Sequence, residues 1–374
     1  MDRPRSAPVE TSLMAESALP QRLNAFLIES ELKTLWRQIA QETEKNEEEV
    51  LRARVVNLVV CSNLDEEVDQ LALDLTSGGD GQSGRLILLL TDEESSSDGF
   101  DSRVSAHCSR QPGGREQICG EIIRIVAHGK AAGRSASVVT PLLIHDLPVF
   151  LWWRRSVDLD SALLRRLARI TDRLIVDSAR AGVDDVLALS KLTARWKDVT
   201  ISDLAWARLQ VWRRALAGLY DSGLTREVLT RPTGLRLEFG ARGHLSNELV
   251  YLLSWLASRL GWELRSPLVE TDFGYRLDGH TARSDLAIEL HRRAGQGLRR
   301  IQLSVGRHLA VQLARRDSNG TFLETWAEWR GRRLSHQILP GTSQKEIDLL
   351  AAEIEIPGKD QVFREALAFA SRLL

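Results

Sequence analysis

The chain has 374 residues, of which 43% are hydrophobic and 27% charged, and its formal net charge at pH 7 is −1. This length exceeds what one hydrophobic core usually serves, so we expect two well-packed domains. Balanced charge argues against a nucleic-acid-binding surface, and no stretch approaches the roughly 18 uninterrupted apolar residues of a membrane span. Residues 1–20 lack the pattern of a secretory signal, so we expect a disordered tail and a cytoplasmic protein.

Basic residues, cysteines and histidines narrow the functional classes. Seven of the 50 basic residues are lysine, so most positive charge is guanidinium, which suits carboxylate, phosphate and aromatic partners. Cys61, Cys108 and Cys119 lack zinc-site spacing, and we expect buried free thiols. A pairing of Cys108 with Cys119 across a hairpin is the alternative. The histidines form no metal-binding cluster, so the sequence indicates neither a metal site nor a cofactor.

The first part of the chain predicts alternating helices and strands. We expect a helix over 28–42, a strand over 55–61, a helix over 63–76 and a strand over 85–90. Because both strands are apolar almost throughout, they indicate a parallel sheet covered by helices on both faces. The glycine-rich run 78–84 leaves a helix and enters a strand, the reverse of a phosphate loop, so we interpret it as a flexible connection.

A hairpin and further α/β elements follow. Residues 101–110 and 118–127 predict two antiparallel strands at a sheet edge, joined by the turn 111–114. A helix over 130–144 leads into the next strand. Beyond that strand, we expect a helix over 161–170, a strand over 173–177 and a helix over 183–194.

The apolar stretch Val149–Trp153 is bounded by Pro148 and by two arginines, so it predicts a buried strand in the centre of the sheet. Trp153, Arg154 and Arg155 stand at its carboxyl end, where open parallel sheets usually meet ligands and partners. A purely structural role, with the tryptophans in the core and the arginines at the boundary with water, is the alternative. Because side chains alternate along a strand, we expect Trp152 to be structural and Trp153 to approach the surface.

Asp177 ends the predicted strand 173–177, a position from which acids do chemistry in many α/β enzymes. No GxSxG motif, nearby histidine or second carboxylate accompanies it. A helix-capping role is therefore favoured over a catalytic one.

Residues 203–221 predict one amphipathic helix, capped by Ser202 or Asp203. This helix contains the pattern Asp-Leu-x-Trp-x-Arg-Leu-x-x-Trp-Arg, which includes Trp206, Arg208 and Arg213. Together with the preceding Pro-Leu-Leu, Asp-x-Pro-Val and Trp-Trp run of 141–153, the pattern resembles the glucose-6-phosphate dehydrogenase assembly protein family, OpcA.

The resemblance covers most of the chain, including Leu35 and Trp36, the strand 54–60 and the segment 255–262. The sequence departs from the family pattern at His145 and at Arg154-Arg155. The resemblance implies a protein without catalytic residues that promotes assembly or activation of glucose-6-phosphate dehydrogenase by protein–protein contact.

The pattern changes after Asp221, and we interpret 223–232 as a linker. A strand is expected over 235–239, and a helix capped by Ser246 or Asn247 ends at Gly261. Short strands with turns between them predict an antiparallel sheet. They lie at 275–277, 286–290, 301–305, 310–314 and 322–329. Two terminal helices, at 343–353 and 360–374, would cover one face of this sheet.

The sequence therefore predicts a tail over 1–20, an α/β domain over 21–222 with a mostly parallel sheet, and an α+β domain over 233–374. We assign partner contact to Trp153, Arg154 and Arg155, and to Trp206, Arg208 and Arg213. The predicted function is a cytoplasmic partner of glucose-6-phosphate dehydrogenase in the oxidative pentose phosphate pathway. The alternative is a sugar-phosphate-binding enzyme or sensor, with Arg154, Arg155 and Asp177 in its pocket.

Overall fold

The structure is a computed structural model. It describes residues 16–19, 25–45, 49–51, 56–64, 66–77, 84–110, 116–180, 182–220, 223–240, 245–295, 297–316, 322–341 and 345–374. Two compact units divide the chain, Met1–Ile175 and Val176–Leu374. This division lies well before the expected linker 223–232. The reason is that residues after 176 bond to later parts of the chain, as when Tyr251 donates a hydrogen bond of 2.7 Å to Asp203.

The first unit is built around a mostly parallel sheet. In chain order its helices and strands are β1 (Glu16–Leu19), α1 (Ala25–Lys45), β2 (Glu49–Leu51), β3 (Asn57–Asn63), α2 (Glu66–Ser77), β4 (Arg85–Asp92), β5 (Gly99–Arg110), β6 (Glu116–His128), α3 (Ser135–Val139), β7 (Val149–Trp153), α4 (Ala162–Ala168) and β8 (Arg173–Val176). The strand order is β1-β5-β6-β4-β3-β7-β8, with β2 beside β6. Strands β6, β4, β3 and β7 run parallel, which confirms the predicted α/β class.

The central position of β7 follows from its sequence. All five residues are buried, as are those of β3 up to Ser62, so both strands need covered faces. The Asn57 side chain fixes the entry to β7, because it accepts a hydrogen bond of 2.8 Å from the Ile144 amide and donates one of 2.9 Å to the Ile144 carbonyl. Parallel pairing then brings the ends of β3, β4 and β7 to one edge of the sheet.

Two elements of the first unit differ from expectation. The helix expected over 130–144 consists of two 3₁₀ segments, Gly129–Arg134 and Thr140–Leu142, on either side of the short α3. The Ser135 hydroxyl donates a hydrogen bond to the Ala132 carbonyl (2.8 Å), and Pro141 has no amide proton. Both residues therefore interrupt the regular backbone hydrogen bonds of an α-helix. Strand β1 lies within the expected tail and pairs with β5, so the hairpin is not the sheet edge. Residues 1–15 and 20 of that tail, and the segments 78–83 and 111–115, lie outside the described residues.

The expectation of free thiols is wrong for two of the three cysteines. Cys108 and Cys119 form a disulfide, whereas Cys61 is free and buried. The antiparallel register of β5 and β6 places Cys108 directly opposite Cys119, which brings the two Cα atoms within 4.0 Å. Both cysteines lie in an apolar cluster with Leu35 and Ile39 of α1. The disulfide therefore holds the hairpin together beneath the first helix.

Reduction of this disulfide is expected to destabilise the first unit. A cross-link between residues 11 positions apart restricts the unfolded chain and contributes about 2–4 kcal/mol. The midpoint of urea denaturation should therefore fall in dithiothreitol, and a Cys108→Ser, Cys119→Ser variant should show the lower midpoint without reductant. Cys61→Ala serves as the control and should retain the response to reductant. Equal midpoints with and without reductant would contradict the prediction.

The second unit contains a large, mostly antiparallel sheet. Its helices and strands are α5 (Val183–Arg195), β9 (Thr200–Asp203), α6 (Leu204–Ala207), α7 (Gln210–Tyr220), α8 (Gly223–Thr230), β10 (Gly234–Gly240), α9 (Asn247–Leu260), β11 (Glu263–Leu264), β12 (Val269–Thr271), β13 (Gly274–His280), β14 (Asp285–Arg293), β15 (Gly297–Val305), β16 (Leu309–Arg315), β17 (Phe322–Trp329), β18 (Arg332–Pro340), α10 (Glu346–Glu355) and α11 (Gln361–Leu373). The strand order is β11-β13-β14-β10-β15-β16-β17-β18, with β12 beside β13. Only the β10–β14 pair among the described pairs of this sheet is parallel.

The sequence predicted the core of this unit better than its connections. Alternate residues of β10, such as Leu235 and Leu237, are buried, and α9 ends at Gly261 with φ of +66°, as its pattern predicted. The linker expected over 223–232 is wrong, because α8 occupies it and buries Val228 and Leu229. The single helix expected over 203–221 is two helices, α6 and α7.

Strand β18 was not predicted. Arg330 and Gly331 both have positive φ (+49° and +77°) in the turn between β17 and β18, as a two-residue turn of type I′ requires. Eight of the nine β18 residues are exposed, so its sequence carries no alternation of apolar and polar side chains. The strand lies at the end of the sheet order, so one of its backbone edges has no partner strand among the described residues.

Candidate functional site

Both tryptophans at the end of β7 are buried. Trp152 is 0% exposed and Trp153 is 2% exposed, and the Trp153 indole donates a hydrogen bond of 3.1 Å to the Ser156 carbonyl. The expectation that Trp153 approaches the surface is wrong. Alternation does separate the two side chains, but both faces of this central strand are covered.

The arginines that follow are partly exposed and fold back over the tryptophans. The Arg154 guanidinium lies 4.9 Å from the Trp152 ring centroid, and that of Arg155 lies 5.5 Å from the Trp153 ring centroid. Arg155 also donates hydrogen bonds to the Thr91 hydroxyl (3.0 Å) and to Glu93 (2.7 Å) at the end of β4. The structure thus brings Trp153, Arg154 and Arg155 together, with the two arginines as the accessible members.

Cys61 lies beside the carboxyl end of β7, and its thiol is not suited to act as a nucleophile. Its carbonyl accepts a hydrogen bond of 2.8 Å from the Arg154 amide. Burial raises the pKa of the Cys61 thiol to about 12, although Arg155 acts in the opposite direction. A thiol that stays protonated at neutral pH is a poor nucleophile and a poor metal ligand.

Acidic side chains occupy the rest of this sheet edge. His128 at the end of β6 lies 3.0 Å from Asp101 and 3.5 Å from Asp92. Together with Glu93, which holds Arg155, these carboxylates give the edge a negative character that disfavours a phosphate ligand. Within the described ranges, no group of three or more histidine, cysteine, aspartate or glutamate side chains is arranged to hold a metal ion.

In the second unit, Arg208 forms a bidentate ion pair with Asp177. Its two terminal nitrogens donate hydrogen bonds of 2.6 and 2.7 Å to the two carboxylate oxygens, and the Asp177 side chain is 5% exposed. The Asp177 carboxylate also accepts a hydrogen bond of 3.2 Å from the Ala179 amide, at the start of the 3₁₀ turn Ser178–Arg180. Asp177 thus caps this short turn, whereas the N-cap of the next helix, α5, is Gly182. A bidentate ion pair leaves little of the carboxylate for a substrate.

Asp203 is the central buried acid of the second unit. Its carboxylate accepts hydrogen bonds from the Ser178 amide (3.0 Å), the Ala205 amide (2.9 Å) and the Tyr251 hydroxyl (2.7 Å). The predicted cap is therefore confirmed, whereas the tyrosine partner was not foreseen. Burial raises the pKa of Asp203 to about 6, although its hydrogen bonds act in the opposite direction.

The raised pKa of Asp203 predicts a pH dependence of stability. Between about pH 4 and 6 the folded protein holds a proton on Asp203 that the unfolded chain has lost, so its contribution to the free energy of unfolding is present below pH 4 and falls as the pH rises. Asp203→Asn should flatten this fall, which is on the order of 3 kcal/mol. Urea denaturation at several pH values measures it.

Asp160→Asn is the matched control for this measurement, because the Asp160 side chain is 97% exposed. Its pH profile should follow that of the unaltered protein. A profile of Asp203→Asn that keeps the full fall between pH 4 and 6 would show that another group causes it.

Trp206 and Arg213 form a second internal contact. The Arg213 guanidinium lies 3.6 Å from the Trp206 ring centroid, and the indole donates a hydrogen bond of 2.9 Å to Asp360, the N-cap of α11. Trp206 also packs against Tyr251 and Phe363 at 6.2 and 5.6 Å between ring centroids. Burial lowers the pKa of Arg213 to about 10. Trp206 is only 3% exposed, so this predicted contact residue lies inside the second unit, whereas Arg208 and Arg213 are partly exposed.

Two family models match the chain in sequence order. Residues 80–194 match the model described as the glucose-6-phosphate dehydrogenase subunit N-terminal domain, and residues 199–367 match that of the C-terminal domain. The chain belongs to the OpcA family. The break between the two models lies about 20 residues after the boundary of the compact units.

Curated members of the OpcA family show moderate similarity. The chain is 28% identical to the OxPP cycle protein OpcA of Nostoc punctiforme, over 74% of this chain and 62% of that protein. It is 31% identical to the protein of the same name from Synechocystis, over 44% of this chain and 34% of that protein. The match to the Synechococcus elongatus protein, at 24% identity, covers 63% of its length. The chain thus spans less than two thirds of each of these three relatives.

Solved structures with a related chain path include oxidoreductases. An NAD-binding oxidoreductase from Klebsiella pneumoniae has a TM-score of 0.48 and 12% identity, and covers 86% of this chain and 95% of its own. An oxidoreductase from Sinorhizobium meliloti has a TM-score of 0.46 and 12% identity, over 86% and 89% of the two chains. In the described part of this OpcA-family chain, no helix is long and apolar enough to cross a membrane.

Proposed function

We propose that this OpcA-family chain is a cytoplasmic, non-catalytic partner that assembles with glucose-6-phosphate dehydrogenase and activates it in the oxidative pentose phosphate pathway. The observation that carries the proposal is the ordered match to both dehydrogenase-subunit domain models, over 80–194 and 199–367. Together these matches include both tryptophan-containing motifs that indicated the family in the sequence.

The state of the buried polar groups supports a role through surfaces. Asp177 is bonded to Arg208, and Asp203 to Tyr251, so these two buried acids are engaged with other side chains. Cys61 is a buried, protonated thiol. Polar groups satisfied in this way stabilise a fold, whereas general acid–base catalysis needs a group within hydrogen-bond reach of a substrate.

Among the predicted contact residues, we retain Arg154 and Arg155 as candidates for direct contact with the dehydrogenase, because their side chains are partly exposed. We assign structural roles to Trp153 in the first unit and to Trp206, Arg208 and Arg213 in the second unit. Arg155 already forms an ion pair with Glu93, so we expect single substitutions of Arg154 or Arg155 to have modest effects on binding of the dehydrogenase.

The hairpin formed by β17 and β18 is a stronger candidate surface in the second unit. Four of the twelve exposed large hydrophobic side chains among the described residues lie on it: Phe322 (43%), Trp329 (42%), Leu334 (52%) and Ile338 (42%). An unpaired edge strand with exposed apolar side chains is a hazard in a protein that stays monomeric. We propose that the dehydrogenase covers this hairpin.

Co-purification tests the proposed function. The full chain and a tagged glucose-6-phosphate dehydrogenase from the same organism are co-expressed, and the reduction of NADP⁺ is measured with and without the chain at limiting enzyme concentration. We expect the chain to co-purify with the enzyme and to raise its activity, and to reduce no NADP⁺ alone. Failure to co-purify together with unchanged enzyme activity would refute the proposal.

A further inference from the structure

Helices α5 and α11 of the second unit border a groove of about 350 Å³. Its polar lining comes from both helices and from the residues that follow α5: Ser190, Thr193, Lys197, Gln361, Arg364, Glu365 and Ser371. A second, narrow pocket shares Thr193, Lys197 and Arg364 with the groove and adds Lys359. Lys197 and Arg364 therefore line both the groove and the narrow pocket, and Lys359 lines the narrow pocket alone.

The carboxylates beside these cations are engaged elsewhere. Asp360 accepts hydrogen bonds of 2.9 Å from the Phe363 amide and from the Trp206 indole. Glu365, which also lines the groove, pairs with Arg259 at 3.2 Å and accepts a hydrogen bond of 3.2 Å from the Gln361 side-chain amide. Within the described residues, Lys197 and Arg364 have no carboxylate within ion-pair distance, whereas Lys359 donates to the Lys197 carbonyl. Two cationic side chains that line one groove and form no ion pair of their own among the described residues attract an anion.

The Thr193 hydroxyl is a second, independent indication. Its oxygen is buried and has no hydrogen-bond partner among the described residues, and Thr193 lines both the groove and the narrow pocket. Buried hydroxyls are normally hydrogen-bonded, so this group is suited to a ligand oxygen. Leu367, which is 1% exposed, contributes an apolar part of the lining.

We propose that this groove binds a small organic phosphate carrying hydroxyl groups. The phosphate lies between Lys197 and Arg364 and accepts a hydrogen bond from Thr193, because an arginine fork and a lysine charge are the groups that recognise phosphate most strongly. The hydroxyl and amide groups of Ser190, Gln361 and Ser371 face the hydroxyl groups of the ligand. A volume of about 350 Å³ falls within the range of small-molecule sites. The site goes beyond the proposed contact with the dehydrogenase and does not depend on it.

Calorimetric titration of the full chain tests this site, with inorganic phosphate, glucose 6-phosphate and glucose as probes. We expect saturable binding of the two phosphates and none of glucose. The double variant Lys197→Gln, Arg364→Gln should weaken binding of glucose 6-phosphate at least tenfold, because it removes both charges from the site. Circular dichroism and the denaturation midpoint establish that the variant remains folded.

Lys191→Gln combined with Arg307→Gln is the matched control, since both side chains are exposed cations of the same unit that do not line the groove. This variant should bind both phosphates normally. The proposal is overturned if neither phosphate shows saturable binding, or if the groove variant and the control bind equally. Co-purification with the dehydrogenase is measured on the same variants, so a failure of the phosphate site is distinguishable from a failure of the proposed partner function.

Discussion

Trp153→Ala is expected to lower the free energy of unfolding of the first unit by about 3–5 kcal/mol. Trp153 is 2% exposed at the end of the central strand, and truncation of a buried tryptophan removes its contacts and leaves a cavity. Because domains are typically stable by about 5–15 kcal/mol, this loss approaches the whole stability of a marginal domain. Urea denaturation followed by circular dichroism measures the change, and loss of dehydrogenase activation should accompany the loss of fold.

Trp329→Ala provides the matched control for Trp153→Ala. Trp329 is 42% exposed at the end of β17, so the same truncation should change the free energy of unfolding by about 1 kcal/mol at most. Trp153→Phe should recover much of the lost stability, since it restores most of the buried apolar volume. If Trp153→Ala unfolds at the same urea concentration as Trp329→Ala, the position is not part of the core.

Strand β7 shows how much of the fold could be predicted from sequence. A short apolar run between Pro148 and two arginines has a fixed start and end, and the observed strand Val149–Trp153 has these limits. The disulfide could not be predicted, because the register that places Cys108 opposite Cys119 belongs to the hairpin as a whole. Sequence spacing alone left the pairing open.

The partner-contact residues show a different limit. Tryptophan and arginine are enriched at interfaces, but they also pack inside domains when the indole and guanidinium find partners. Asp360 lies 154 residues from Trp206 in the chain. No local sequence pattern could therefore indicate the hydrogen bond that allows this indole to be buried. Exposed Leu334 and Ile338 carry no motif at all, and only the pairing of β17 with β18 shows them to be on one edge of the sheet.

The double variant Leu334→Glu, Ile338→Glu is expected to abolish activation of glucose-6-phosphate dehydrogenase while the fold is retained. Both side chains are exposed on the edge strand, by 52% and 42%, so their replacement should change stability by about 0.5 kcal/mol each. At a contact surface, losing a central residue costs about 2 kcal/mol or more, so the apparent affinity should fall at least about thirtyfold. Two glutamates add a further penalty, since each new charge must lose water on docking. Activity titrations at limiting dehydrogenase measure the effect.

Val269→Glu tests whether a charge at any exposed apolar position of the second unit abolishes activation of the dehydrogenase. Val269 is 54% exposed on β12, which pairs with β13, whereas β18 ends the other side of the same sheet. It therefore adds a charge to the same unit without touching the β17–β18 hairpin. Activation should survive in Val269→Glu and fail in the double variant, because Val269 lies at the opposite end of the strand order from the edge strand β18 and its exposed apolar side chains. Normal activation by the double variant would remove this hairpin from the interface and leave Arg154 and Arg155 as the next residues to substitute.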